Sequence, residues 1–88
     1  MTWTVELADS AIRDLDRLPP RVVPAVIEFI YGPLAENPRR LGKPLREDFA
    51  GLWSARRGPY RVLYELGDEK ARIVVARIRH RAHVYRGR

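Results

Sequence analysis

Polar and apolar residues alternate along "WTVELA", Trp3 to Ala8, and that period of two predicts an opening β-strand. The period then lengthens. Ala11, Ile12, Leu15 and Leu18 recur at three- and four-residue spacing, which predicts an amphipathic helix over 10–18, capped by Asp9 or Ser10 and ended by "LPP". A second stripe, Val23, Val26, Ile27, Ile30 and Leu34 with Phe29 beside it, predicts another helix as far as Glu36. Pro24 near its start and Gly32–Pro33 within it predict a late start or a kink. "NPRRLGKPLREDFAG" (37–51) is rich in turn formers and charge and reads as a loop. Period two returns in "LWSARR" (52–57), "YRVLYEL" (60–66) and "ARIVVARI" (71–78), joined by Gly58–Pro59 and by "GDEK". The expected fold is a single α+β domain over 1–88: an N-terminal strand, a two-helix hairpin, then a three-stranded antiparallel meander.

The two-residue connection has a geometric consequence. If Arg57 and Tyr60 close the hairpin, Arg56 lies opposite Arg61 and Ser54 opposite Leu63. Alternation then puts Leu52, Ser54, Arg56, Arg61, Leu63 and Glu65 on one face, and Trp53, Ala55, Tyr60, Val62, Tyr64 and Leu66 on the other. The second, apolar face is the one expected to take the helices. On the first, two arginines stand directly across from each other, an arrangement that costs about 0.2 to 1 kcal/mol unless an anion offsets it. Glu65 or Asp48 is one candidate for that anion, and a bound phosphate is the other.

Charge sharpens the picture. The net charge of +6 hides a division: residues 1–38 carry three arginines against six acids, net −3, whereas residues 39–88 carry fourteen Lys or Arg against five acids, net +9. Only Lys43 and Lys70 among those fourteen are lysines, and the planar guanidinium fork suits bidentate contact with phosphate or carboxylate. The basic region culminates in "ARIRHRAHVYRGR" (76–88), with five arginines and no acid, so a polyanion is the natural partner. With no cysteine, and with His80 and His83 as the only imidazoles, neither thiolate chemistry nor a structural zinc is expected. No run of about 18 apolar residues offers a membrane span, and "MTWTVELADS" lacks a signal-peptide pattern, so a cytoplasmic protein with no membrane partner is expected.

Taken in order, "RDLDRLPPRV", "NPRRLGKPLR", "YRVLY" and a closing "HR" followed by "VYR" resemble the RelE family of bacterial toxin–antitoxin toxins, within the RelE/ParE superfamily. The resemblance covers nearly the whole chain and implies the same strand, helix, helix, three-strand order. It implies a metal-independent, ribosome-dependent endoribonuclease, or mRNA interferase, needing no cofactor. Such an enzyme cuts mRNA in the ribosomal A site and so inhibits translation. Its partners would be the ribosome, mRNA and a cognate antitoxin, small, acidic and partly disordered, through which alone DNA would be reached. On that resemblance Arg61 in "YRVLY" matches the characteristic sheet arginine, a fixed cation for the charge that builds on the phosphorane. Arg81 matches the arginine after the last strand, while an offset of two would choose Arg79. Tyr85 matches a C-terminal tyrosine that stacks on a base or moves a proton, or alternatively packs the tail against the sheet. Arg46 on the connector and Arg86 beside Tyr85 join Arg56 and Arg79 as expected RNA-binding cations.

One departure matters. Where the best-known relative carries two strand lysines, this chain has Leu52 and Ser54, so the lysine proposed there as general base has no counterpart. His83, two residues before Tyr85, is either a substitute proton carrier, with an ordinary imidazole pKa of about 6.5, or an exposed polar residue. His80 reads as structural. Two further functions remain open on sequence: a ParE-like toxin that poisons DNA gyrase by binding, and a degenerate RNA-binding module without turnover.

Overall fold

A computed structural model of the chain describes residues 2–80. Strand β1 (Thr4–Leu7) leads into helix α1 (Asp9–Arg17) and then α2 (Val23–Phe29), with Pro24 in the first turn, where its missing N–H is no loss. The expected kink at Gly32–Pro33 is a wide π turn, Ile30–Leu34, which continues directly from α2. A proline inside an α-helix removes a hydrogen bond and crowds the carbonyl four residues back, and a widened turn relieves both.

The stretch 37–51, read from the sequence as a loop, contains more structure than that. It forms a one-turn helix α3 (Pro38–Leu41), a short strand β2 (Gly42–Pro44) and a 3-10 turn at Glu47–Phe49. Strands β3 (Trp53–Arg57), β4 (Tyr60–Gly67) and β5 (Arg72–His80) complete a five-stranded sheet of order β1-β5-β4-β3-β2. The meander is antiparallel as expected, and β1 lies parallel to β5, Thr4 opposite Arg72 through Leu7 opposite Val75.

The helices cover one face of this sheet. Ala11, Val26, Ile30 and Leu34 pack on Ala55, Val62, Tyr64, Ile73, Val75 and Ile78, all nearly inaccessible to solvent. Ile12, expected in the buried stripe of the first helix, is 45% exposed. The inward stripe of α1 runs through Ala11 and Asp14 instead, with Leu15 and Leu18 partly buried, because this helix meets the edge of β5, which presents polar backbone as well as apolar side chains. Its start is corrected too. Neither Asp9 nor Ser10 caps the helix; Ala8 occupies the cap position without a side-chain bond, and the Ser10 hydroxyl donates to the Ala76 carbonyl on β5 at 2.6 Å. Among the described residues no helix is long and apolar enough to cross a membrane.

Candidate anion site on the open sheet face

The β3–β4 hairpin sets the register of the site. Gly58 has φ +60°, and Pro59 restricts the next φ to about −65°, the combination that a type II′ turn needs. The result is the pairing read from sequence: Arg57 opposite Tyr60, Arg56 opposite Arg61, Ser54 opposite Leu63. On the other side of β4, Arg61 faces Arg79 of β5. Arg56, Arg61 and Arg79 therefore occupy one rung across three adjacent strands, with neighbouring Cβ atoms about 5 Å apart.

Among the described residues nothing anionic compensates this row. None of the three is paired with a carboxylate of those residues, so neither Glu65 nor Asp48 plays the neutralising part. Arg61, the central member, is half-buried, and its Nε is a buried donor without an acceptor among the described residues. Ser54 Oγ, diagonal to Arg61 across β3 and β4, is likewise buried without a partner. Lys43 on β2 sits opposite Ser54 and extends the cationic face by one strand. Leu63 on this face is buried at 5% exposure. Two buried donors beside three clustered guanidinium groups form an arrangement that a phosphate, with several acceptor oxygens and negative charge, would satisfy.

The other expected site residues separate. Arg46 is exposed but lies beyond the β2–β3 ladder, at the end of β3 remote from Arg56, so it does not join the row. His80 is opposite Tyr60, with the two rings edge to face at 5.4 Å and 86°, in keeping with a structural part. Arg81, His83, Tyr85 and Arg86 lie outside the described residues. Ser54 and Lys43 were not singled out as site residues from sequence. The signal was there for Ser54, since the hairpin register puts it on the arginine face, but Lys43 needed a strand inside an apparent loop. No group of three or more His, Cys, Asp or Glu able to hold a metal ion occurs among the described residues.

Residues 5–85 match a family model described as the ParE toxin of the type II toxin–antitoxin system parDE. The chain belongs to the RelE/ParE superfamily of type II toxins. Toxin RelG of Mycobacterium tuberculosis is 51% identical to it over 86 residues, covering 98% of this chain and 99% of that protein. Toxin RelE of the same organism is 50% identical over 84 residues, covering 96% of this chain and 87% of that protein. The crystal structure of the RelBE2 toxin–antitoxin complex from M. tuberculosis superposes with a TM-score of 0.88 at 49% identity, over 91% of this chain and 99% of that one. The isolated Escherichia coli RelE toxin shares the fold of this superfamily member at a TM-score of 0.71 and 17% identity, over 89% of this chain and 83% of that one.

Proposed function

We propose that this toxin is a ribosome-dependent endoribonuclease that cuts mRNA in the ribosomal A site and is neutralised by a cognate antitoxin. The observation that carries the reading is the row Arg56–Arg61–Arg79, with the Arg61 Nε lacking an acceptor among the described residues. In such a cleavage the 2′-hydroxyl loses its proton to a base and attacks the adjacent phosphate, and charge grows on the oxygens of the phosphorane. The P–O5′ bond then breaks, leaving a 2′,3′-cyclic phosphate and a 5′-hydroxyl protonated by an acid. Fixed cations that need not reorganise stabilise that state more than the ground state. The row supplies cations and no obvious proton carrier, which leaves general acid and base to the residues expected for them from sequence, His83 and Tyr85, with Arg81 and Arg86 as further cations. The likeness to toxins RelG and RelE at about half identity supports this reading over a bare fold match. The relatives solved as RelBE toxin–antitoxin complexes support an antitoxin partner. Charge complementarity makes that partner acidic, folding as it covers the cationic face.

The ParE description of the matching family model favours a second reading, in which the toxin binds and poisons DNA gyrase without cutting RNA. One experiment separates them. The toxin is induced without its antitoxin, mRNA 5′ ends are mapped, and gyrase-linked DNA breaks are assayed in the same cells. Cuts within translated codons, lost together with growth arrest in Arg61→Ala while that variant remains folded, are the expected result. DNA breaks without mRNA cuts would establish the gyrase reading, and neither would leave a binding module. Undiminished cleavage by Arg61→Ala would overturn the site.

A further inference from the structure

Strand β5 does not alternate evenly. Tyr64 faces Val75 and Leu63 faces Arg77, so Ala76 has no counterpart on β4 and forms a bulge. Carrying the Tyr64–Val75 register onward without that extra residue would set Ile78 opposite Arg61 and Arg79 opposite Tyr60, exchanging the faces of both. With the bulge, Ile78 enters the core at 2% exposure and Arg79 joins the arginine rung. The third cation of the candidate site therefore depends on one irregular residue.

Helix α1 grips that irregularity at three consecutive positions. Strand β1 covers β5 only as far as Val75, so the outer edge of 76–80 has no strand partner among the described residues. Ser10 and Asp14, one turn apart on the same side of α1, take its place. Ser10 Oγ donates to the Ala76 carbonyl at 2.6 Å, and Asp14 Oδ2 accepts from the Ile78 N–H at 2.9 Å. The Asp14 carboxylate also receives Arg77 Nε at 2.9 Å and Nη2 at 3.2 Å, a bidentate pair that holds the Arg77 guanidinium charged. Asp14 is the buried charged residue of the described chain, 5% exposed, and each lone pair it spends goes to the bulged segment.

We infer that Asp14 and Ser10 are positioning residues of the anion site: they clamp the Ala76 bulge and thereby fix Arg79 on the rung with Arg56 and Arg61. This rests on the reading of that rung as the RNA phosphate site, and the test treats the two ideas separately. Cross-strand proton contacts between Arg61 and Arg79 are measured by NMR in the wild type, Asp14→Ala, Asp14→Asn and Ser10→Ala. Loss of the clamp weakens those contacts in Asp14→Ala, and they are retained in Asp14→Asn, whose side-chain carbonyl still accepts from the Ile78 N–H; unchanged contacts in Asp14→Ala overturn the inference. Should Asp14→Ala fail to fold, Ser10→Ala, which removes a single bond, is expected to show the same loss in milder form, and wild-type contacts there overturn it.

Binding of a cleavage-resistant 2′-O-methyl RNA hexamer supplies the functional arm. Arg79→Ala and Asp14→Ala each weaken it about tenfold, and the double variant is no weaker than either alone. Full additivity would mean that Asp14 acts otherwise than through Arg79 and would overturn the inference. If Arg61→Ala and Arg79→Ala both leave hexamer binding untouched, the RNA reading fails, while the NMR contacts still decide the clamp.

Discussion

At the scale of single residues, the row of arginines is the feature that demands a partner. Like charges directly opposed across strands destabilise a sheet, and Arg61 adds a buried donor without an acceptor among the described residues. A small polyphosphate should offset both costs. Inorganic pyrophosphate at ten times its dissociation constant is expected to add about 1.4 kcal/mol and raise Tm by roughly 6 to 11 °C, and Arg61→Ala should lose that gain. A melting curve indifferent to pyrophosphate would contradict the anion site. The opposition of Arg56 and Arg61 could be read from sequence because Gly58–Pro59 allows one tight hairpin and so one register. Arg79 could be named from sequence as an RNA-binding cation and as the offset alternative to Arg81, but its place on the rung could not, since strict alternation has no means of announcing the bulge at Ala76. Asp14 and Ser10 escaped for a related reason: a carboxylate within an amphipathic helix and a hydroxyl near its start look like solvent and cap groups until the edge they serve is known.

At the scale of elements, β2 shows how tertiary contact overrides local preference. A strand spelled Gly-Lys-Pro runs against intrinsic propensity, and its three residues were not legible as one. It forms because Gly42 passes so close to the Tyr64 hydroxyl that a Cβ would collide with it, and because the same hydroxyl donates to the Pro38 carbonyl at 2.5 Å, tying α3 to the middle of the sheet. Gly42→Ala should therefore cost about 1 to 3 kcal/mol by chemical denaturation. Burial pushes the Tyr64 phenol up to about 12. Below pH 10 both folded and unfolded chains keep this proton and the stability is fully present. Above pH 10 the unfolded chain releases it first, so stability falls as pH rises through 12, by up to roughly 2.7 kcal/mol. Tyr64→Phe should show a shallower alkaline decline, having already lost about 1 kcal/mol at neutral pH with the bond to Pro38. An identical decline in both proteins would assign the alkaline transition to other groups.

At the scale of the whole molecule, the uneven charge of the chain becomes a surface property: basic residues from β2 to β5 share the face that the helices leave open. If about five of them meet phosphates, log affinity for single-stranded RNA should fall with log salt at a slope of roughly −3.5, and a flat titration would contradict the basic-face model. The order of strand, helices and meander was legible because each element carries its own period. The lateral place of β1 was not, because periodicity identifies a strand without naming its neighbour. That place has a consequence for how the toxin comes into being. Strand β5 is synthesised after every other described strand, yet it lies between β1 and β4, and Ser10 must wait for a partner 66 residues downstream. A nascent chain that stops before Arg72 has neither the seam joining its two halves nor the third arginine of the rung, so a fragment of residues 1–71 should show no cooperative unfolding. Architecture thus acts as a timer, because the last of the described strands to emerge closes the sheet and completes the arginine rung in the same event.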